Sequence, residues 1–223
     1  MGLPEVLLAL GLLVLVAGVA LGLNAHSHRS LRRNIDHLAA RFGLEEVGGP
    51  AGRIGLWPRP PALHGTWQGR ELALEPVATG WKGTRQSVTA LHLETAVRKD
   101  ALVRLQSRRG LNRLERSGLG KLTRVAGHKP EFDQRISVAT NLPAWFVLRF
   151  PAATADRVLE ELGPTSGSIT LAEGRLSYHE LGLPAGKNAP ARLERLTLLL
   201  AHLATTLEDP PPETGSDSSP RPR

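Results

Sequence analysis

The sequence predicts an α+β chain: one N-terminal transmembrane helix, followed by a soluble domain of antiparallel strands packed with a few helices. Three observations carry that reading. Eighteen consecutive apolar residues run from Val6 to Leu23. Apolar and polar residues alternate in short runs bounded by glycine turns from Leu63 to Ser107 and again from Ser168 to Leu181. Finally, Leu193, Leu196, Leu200, Leu203 and Leu207 repeat at helical spacing.

The apolar run is long enough for a spanning helix. At 1.5 Å per residue it covers about 27 Å, close to the thickness of a bilayer's hydrocarbon core. Residues 1–5 form a short non-cytoplasmic terminus without Lys or Arg, whereas Arg29, Arg32 and Arg33 follow the run. The positive-inside rule therefore places the soluble part in the cytoplasm, tethered to an inner or plasma membrane. The rival is export after cleavage of a signal peptide at the small residues Gly18-Val19-Ala20, although the basic n-region of such a peptide is missing. Gly18 and Gly22 form a G-x-x-x-G pair, a candidate helix–helix contact that would allow a homodimer.

Residues 24–47 read as a juxtamembrane amphipathic helix. Within it, Ser30 to Phe42 place Leu31, Ile35, Leu38 and Phe42 on one face, and Gly43 stops the helix. Residues 48–107 read as a β-meander, with a short strand around Ile54 to Trp57. A hairpin turns at Gln68-Gly69 between Leu63–Trp67 and Arg70–Val77. A long strand over Arg85–Val97 shows Thr89, Leu91 and Leu93 to one face and His92 and Glu94 to the other. Ala101–Ser107 makes a fourth strand.

Residues 108–130 are a basic connector, read as a loop. From Arg98 to Lys129 ten Lys or Arg face two acids, against +7 for the whole chain, so the rest is close to neutral. Arg104, Arg108, Arg109, Arg113, Arg116, Lys121 and Arg124 are the candidate contacts to an anionic surface. Each base near an anionic leaflet contributes roughly 1 kcal/mol. Nucleic acid is the weaker reading, because no aromatic residue is interleaved with these bases for stacking.

Residues 131–207 read as a second α+β region. It holds a strand at Glu131–Ala139, a short helix over Pro143–Phe150 and a helix from Thr154, as N-cap, to Leu162. A hairpin about Glu173-Gly174 and the Leu-rich final helix with Asn188 at its cap complete it. Residues 208–223, rich in Pro, Ser and Asp, read as a disordered tail. The run Phe132-Asp133-Gln134-Arg135-Ile136-Ser137-Val138, with the elements after it, resembles a class of uncharacterised membrane-anchored bacterial proteins carrying an F-D-x-x-[FI]-x-V element. The resemblance covers about Lys129 to Leu207. It implies an α+β, membrane-associated protein and no catalytic residue.

No catalytic constellation is legible. Gly118-Leu119-Gly120-Lys121 is not a phosphate loop, since Glu115 and Leu122 stand where Gly and Ser or Thr are needed. His179-Glu180 lacks the second His of a zinc-protease helix, because Leu183 occupies that position. The absence of Cys excludes disulfides, thiol nucleophiles and Cys-ligated metals. Asp133 is the most tempting acid, with the alternatives that it is a polar residue on the outer face of a strand or fixes a turn by accepting a nearby backbone N–H. No cofactor is expected. The expected function is a non-catalytic binding or scaffold domain at the membrane. The rivals are an envelope enzyme whose acids and histidines only the fold would assemble, and an accessory subunit of a membrane complex with a protein partner.

Overall fold

The computed structural model describes residues 29–47, 53–54, 57–58, 61–79, 86–110, 122–127 and 129–208. The apolar run with Gly18 and Gly22, and the connector residues Arg113, Arg116 and Lys121, lie outside the described residues. Among the described residues no helix is long and apolar enough to cross a membrane.

The chain is α+β, and its main sheet has nine antiparallel strands. Helix α1 (residues 29–42) leads into β1 (Glu45–Val47). The two-residue strands β2 (Arg53–Ile54) and β3 (Trp57–Pro58) pair with each other. Then come β4 (Ala62–Trp67), β5 (Arg70–Thr79), β6 (Gln86–Glu94) and β7 (Val103–Ser107). A 3-10 turn at Arg108–Gly110 and β8 (Thr123–Val125) follow. The remaining elements are α2 (Pro130–Arg135), β9 (Ile136–Thr140), α3 (Pro143–Arg149), α4 (Ala152–Leu162), β10 (Ser168–Ala172), β11 (Arg175–Leu181) and α5 (Ala189–Leu207).

The order across the sheet is β1-β4-β5-β6-β11-β10-β7-β9-β8. The early strands therefore do not continue as a meander through β7. The late hairpin β10–β11 wedges between β6 and β7, so both β regions share one sheet. Both tight hairpins carry two consecutive left-handed residues: Gln68 (φ 52°) and Gly69 (76°), and Glu173 (53°) and Gly174 (75°). That geometry matches the right-handed strand twist and sets both registers.

One face of the sheet packs under the helices. Leu72↔Leu93↔Leu176↔Leu171↔Val103 and Leu74↔Leu91↔Tyr178↔Ile169↔Leu105↔Val138 are two rows of directly paired residues running across it, and all of them are buried. Against them lie Leu193, Leu196, Leu200, Leu203 and Leu207 of α5, none more than 1% exposed. Burying each such leucine is worth about 1.5–3 kcal/mol before chain entropy is counted. Leu31, Ile35, Leu38 and Phe42 of α1 join the same core. Helix α1 ends at Gly43 (φ 65°), where Leu44 N–H bonds back to the Ala39 carbonyl at 2.9 Å, closing a Schellman turn. Residues 45–47, expected as helix, instead extend the sheet edge beside β4.

Two further expectations are corrected. Residues 130–135 are helical and only Ile136–Thr140 is strand. Pro130 at the first turn presets φ, and Glu131 and Asp133 favour the positive end of the helix dipole. Asp133 Oδ2 accepts the Gly127 N–H at 2.8 Å, so it fixes the turn before α2. Phe132 plunges into the core at 0% exposure, 6.0 Å from the Phe150 ring, which stacks on Phe146 at 4.7 Å. The second correction concerns α4, whose cap is Pro151. Thr154 lies inside the first turn, with its Oγ1 3.0 Å from His202 Nε2 on α5.

Tyr178 sits centrally on the packed face, fully buried. Its hydroxyl has no partner in hydrogen-bond geometry, and burial pushes its ionisation well up. Gly167 makes room for it: a Cβ there would come within 2.7 Å of the ring and the hydroxyl. Gly167→Ala is expected to cost about 1–3 kcal/mol through overpacking. Tyr178→Phe, which only removes a buried polar atom, is expected to be neutral or slightly stabilising. Denaturant titrations of both variants check this, and equal losses in the two would contradict the packing account.

Candidate functional site

The two faces and two ends of the sheet offer different chemistry. On the face away from the helices, one row reads His64↔Ala73↔His92↔Ser177↔Thr170↔Arg104↔Ala139↔Arg124. Two sequence-derived candidates, Arg104 and Arg124, thus share this face with Ala139 between them. Burial lowers the pKa of Arg104. His92 Nδ1 lies 2.8 Å from Ser177 Oγ, and its ring meets His179 edge-on at 5.6 Å. His64 Nε2 is 3.3 Å from Glu75. Among the described residues no group of three His, Asp or Glu is placed to hold a metal.

Burial first, then the neighbouring His179, pulls the His92 pKa down to about 4; Arg175 and His64 act in the same direction and Glu75 opposes them. Burial also lowers His179. Below about 6.5 the unfolded chain takes up a proton that the folded His92 refuses, so stability must fall as pH drops from 6.5 toward 4. After discounting for solvent screening, the loss is on the order of 1–2 kcal/mol. Chemical denaturation at pH 7 and pH 4.5 should show it, and His92→Asn should reduce it. A pH-independent midpoint would contradict the burial account.

The other cluster lies at one end of the sheet, among residues that no short motif links. Because the strands are antiparallel, the ends of β7 and β11 and the start of β10 lie together. The 3-10 turn after β7 supplies Arg109. The last turn of α4 supplies Glu160 and Glu161, and the turn into β10 supplies Pro164, Thr165 and Ser166. Glu180 comes from β11, and Arg192 and Arg195 come from α5, one helical turn apart. Together they line a cavity of about 320 Å³.

Its charges are matched. Arg192 Nη1 donates to Glu180 Oε1 at 2.7 Å, and Arg195 Nε donates to Glu161 Oε2 at 2.9 Å. Glu180 is the buried member, with its side chain 8% exposed against 35% for Arg192. Thr165 Oγ1 donates to the Leu162 carbonyl and accepts the Gly167 N–H, which fixes the turn. Thr165, Glu180 and Arg192 are the polar groups around the buried Tyr178 hydroxyl. The cavity contains neither Asp133 nor a histidine.

Of the basic candidates, the structure brings Arg109 to this cavity, leaves Arg108 beside it in the same exposed turn, and puts Arg104 and Arg124 on the opposite face. Sequence reading missed Glu180, Arg192 and Arg195. One signal was present: Leu176, Tyr178 and Glu180 alternate in a single phase of β11, so an acid stands where the pattern calls for an apolar residue.

No protein-family model matches the chain, and no curated protein matches it either. Among solved structures, the chain is similar to the crystal structure of the mycobacterial trehalose monomycolate transport factor A, TtfA. The TM-score is 0.51 and the identity 12%, over 82% of this chain and 98% of that one. At that identity the likeness is one of fold.

Proposed function

We propose that this chain is a membrane-tethered accessory factor of an envelope transport assembly, acting through binding and not through catalysis. The observation that carries the reading is the likeness to TtfA, because it takes in 98% of that crystallised chain instead of a short shared segment. The apolar run Val6–Leu23 supports the tether. The basic flank at Arg29, Arg32 and Arg33 supports a cytoplasmic domain.

The fold adds a geometric argument. Helix α1 is pinned at its start: Ser30 Oγ donates to the Ala185 carbonyl, and Asn34 Nδ2 to the carbonyls of Pro184 and Gly186. That connection follows β11, so the chain arrives at the end of the sheet that holds Arg108 and Arg109. Only five residues separate Leu23 from Arg29. Even fully extended they reach at most about 20 Å. This end of the domain is then the one that contacts anionic lipid headgroups.

The test is topology together with association. Reporter fusions after Leu207 should be active only on the cytoplasmic side, the protein should resist a carbonate wash, and it should co-purify in mild detergent with stoichiometric partners. Changing Arg108, Arg109, Arg113 and Arg116 to Gln should weaken binding to anionic vesicles about tenfold at physiological salt. An exported, soluble domain would overturn the tether, and a solitary protein in detergent would overturn the accessory role.

A further inference from the structure

The cavity at the tethered end of the sheet has a chemistry of its own. Three guanidinium groups, on Arg109, Arg192 and Arg195, face three carboxylates. A bare anion entering meets as many repelling groups as attracting ones. Apart from Pro164 the lining residues are charged or hydroxylated, so the apolar wall is that ring and the aliphatic stems of polar side chains. The ligand class that uses both kinds of group is a polyol, because each hydroxyl can donate to a carboxylate and accept from a guanidinium. After the two ion pairs form, Arg192, Arg195, Glu161 and Glu180 each keep further donor or acceptor positions for such hydroxyls.

One observation at the cavity favours a ligand over a purely structural ion pair. Glu180 is held 8% exposed in an otherwise apolar phase of β11, and burying a carboxylate costs several kcal/mol before pairing returns part of it. The volume of about 320 Å³ stands at the small end of ligand pockets. It suits a sugar headgroup and not a whole lipid.

From this arrangement we infer that the cavity binds a polyhydroxylated headgroup, the sugar of a glycolipid or the same sugar free in solution. The inference rests on the proposed membrane-tethered role for its glycolipid form. It specifies what that role would recognise: a headgroup presented to the end of the sheet where α1 begins.

The experiment uses the full chain in phosphatidylcholine nanodiscs. Calorimetric titration with free maltose and trehalose is compared with discs containing a glucosyl diacylglycerol. Two variants accompany the parent: Ser166→Trp, which fills the exposed rim without touching either ion pair, and Arg195→Gln. Saturable sugar binding with a Kd on the order of 1 mM is expected. It should be abolished by Ser166→Trp and weakened about tenfold by Arg195→Gln. Binding only in glycolipid discs, with the same sensitivity, would assign the headgroup as the source. No saturable response in either arm, a response indifferent to Ser166→Trp, or a response to inorganic phosphate alone would overturn the inference. A protein that fails to stay with membranes sinks the tether, while the free-sugar arm still decides the cavity.

Discussion

Replacing Arg192 with alanine should lower the unfolding free energy by about 2–3 kcal/mol. Breaking a fully buried pair by removing one partner costs about 3–5 kcal/mol, and the 35% exposure of Arg192 reduces that figure. What makes the loss large is the residue left behind. Glu180 stands on the helix-covered face of the sheet beside the buried Tyr178, and without Arg192 its carboxylate loses its 2.7 Å hydrogen bond. Arg192→Lys should recover only part of the loss, since an ammonium replaces a planar fork with a point charge. The double variant Glu180→Gln/Arg192→Gln should be more stable than the sum of its single variants predicts, with a coupling of about 0.5–3 kcal/mol. Additive single losses would mean that the pair is not energetically coupled.

Glu208→Ala should cost about 2–3 kcal/mol and loosen the C-terminal end of α5. Assigned to a tail by composition, Glu208 is in fact a junction. Its carboxylate is gripped by both terminal nitrogens of Arg70 at the start of β5, with Nη2 to Oε2 at 2.8 Å, and it also accepts the Ala96 N–H at 2.9 Å. Its carbonyl accepts from Arg149 Nη1 of α3 at 2.7 Å. One residue thus ties the end of α5 to β5, to the loop after β6 and to α3.

The Arg70 contact, more than the Ala96 N–H, holds the Glu208 carboxyl below its ordinary range. The stabilisation is therefore complete above the unfolded value near 4.5 and fades as pH falls through the lower folded value. Thermal unfolding of Glu208→Ala should accordingly differ from the parent at neutral pH, and the gap should shrink at strongly acidic pH. Hydrogen exchange should locate the change in the last turns of α5. No gap at neutral pH would mean that Glu208 acts through its backbone alone.

The elements that could be read directly are those whose signal is local. The Gln68-Gly69 and Glu173-Gly174 hairpins form where expected, because two left-handed residues decide a tight turn without help from elsewhere. Helix α5 is buried through the leucines whose spacing announced it. Strand alternation correctly sent Thr89, Leu91 and Leu93 inward and Glu94 and His92 away. Where local signals compete, the reading slipped. Phe132, Ile136 and Val138 fit a strand pattern, yet Pro130 and the acids after it start a helix, and the change of state at Arg135–Ile136 leaves all three buried either way.

What the sequence determined by itself is the two tight hairpins, the final helix, the inward faces and a basic segment following β7, since each is a property of a few neighbouring residues. The strand order was decided only in three dimensions. Placing β10–β11 between β6 and β7 joins residues 62 to 93 positions apart, and such pairing depends on which exposed edge a hairpin finds when the core closes. The cavity follows from that choice. Arg109, Glu161, Glu180 and Arg195 meet because strand ends and helix ends converge there, and no periodicity in the chain records where an end will lie.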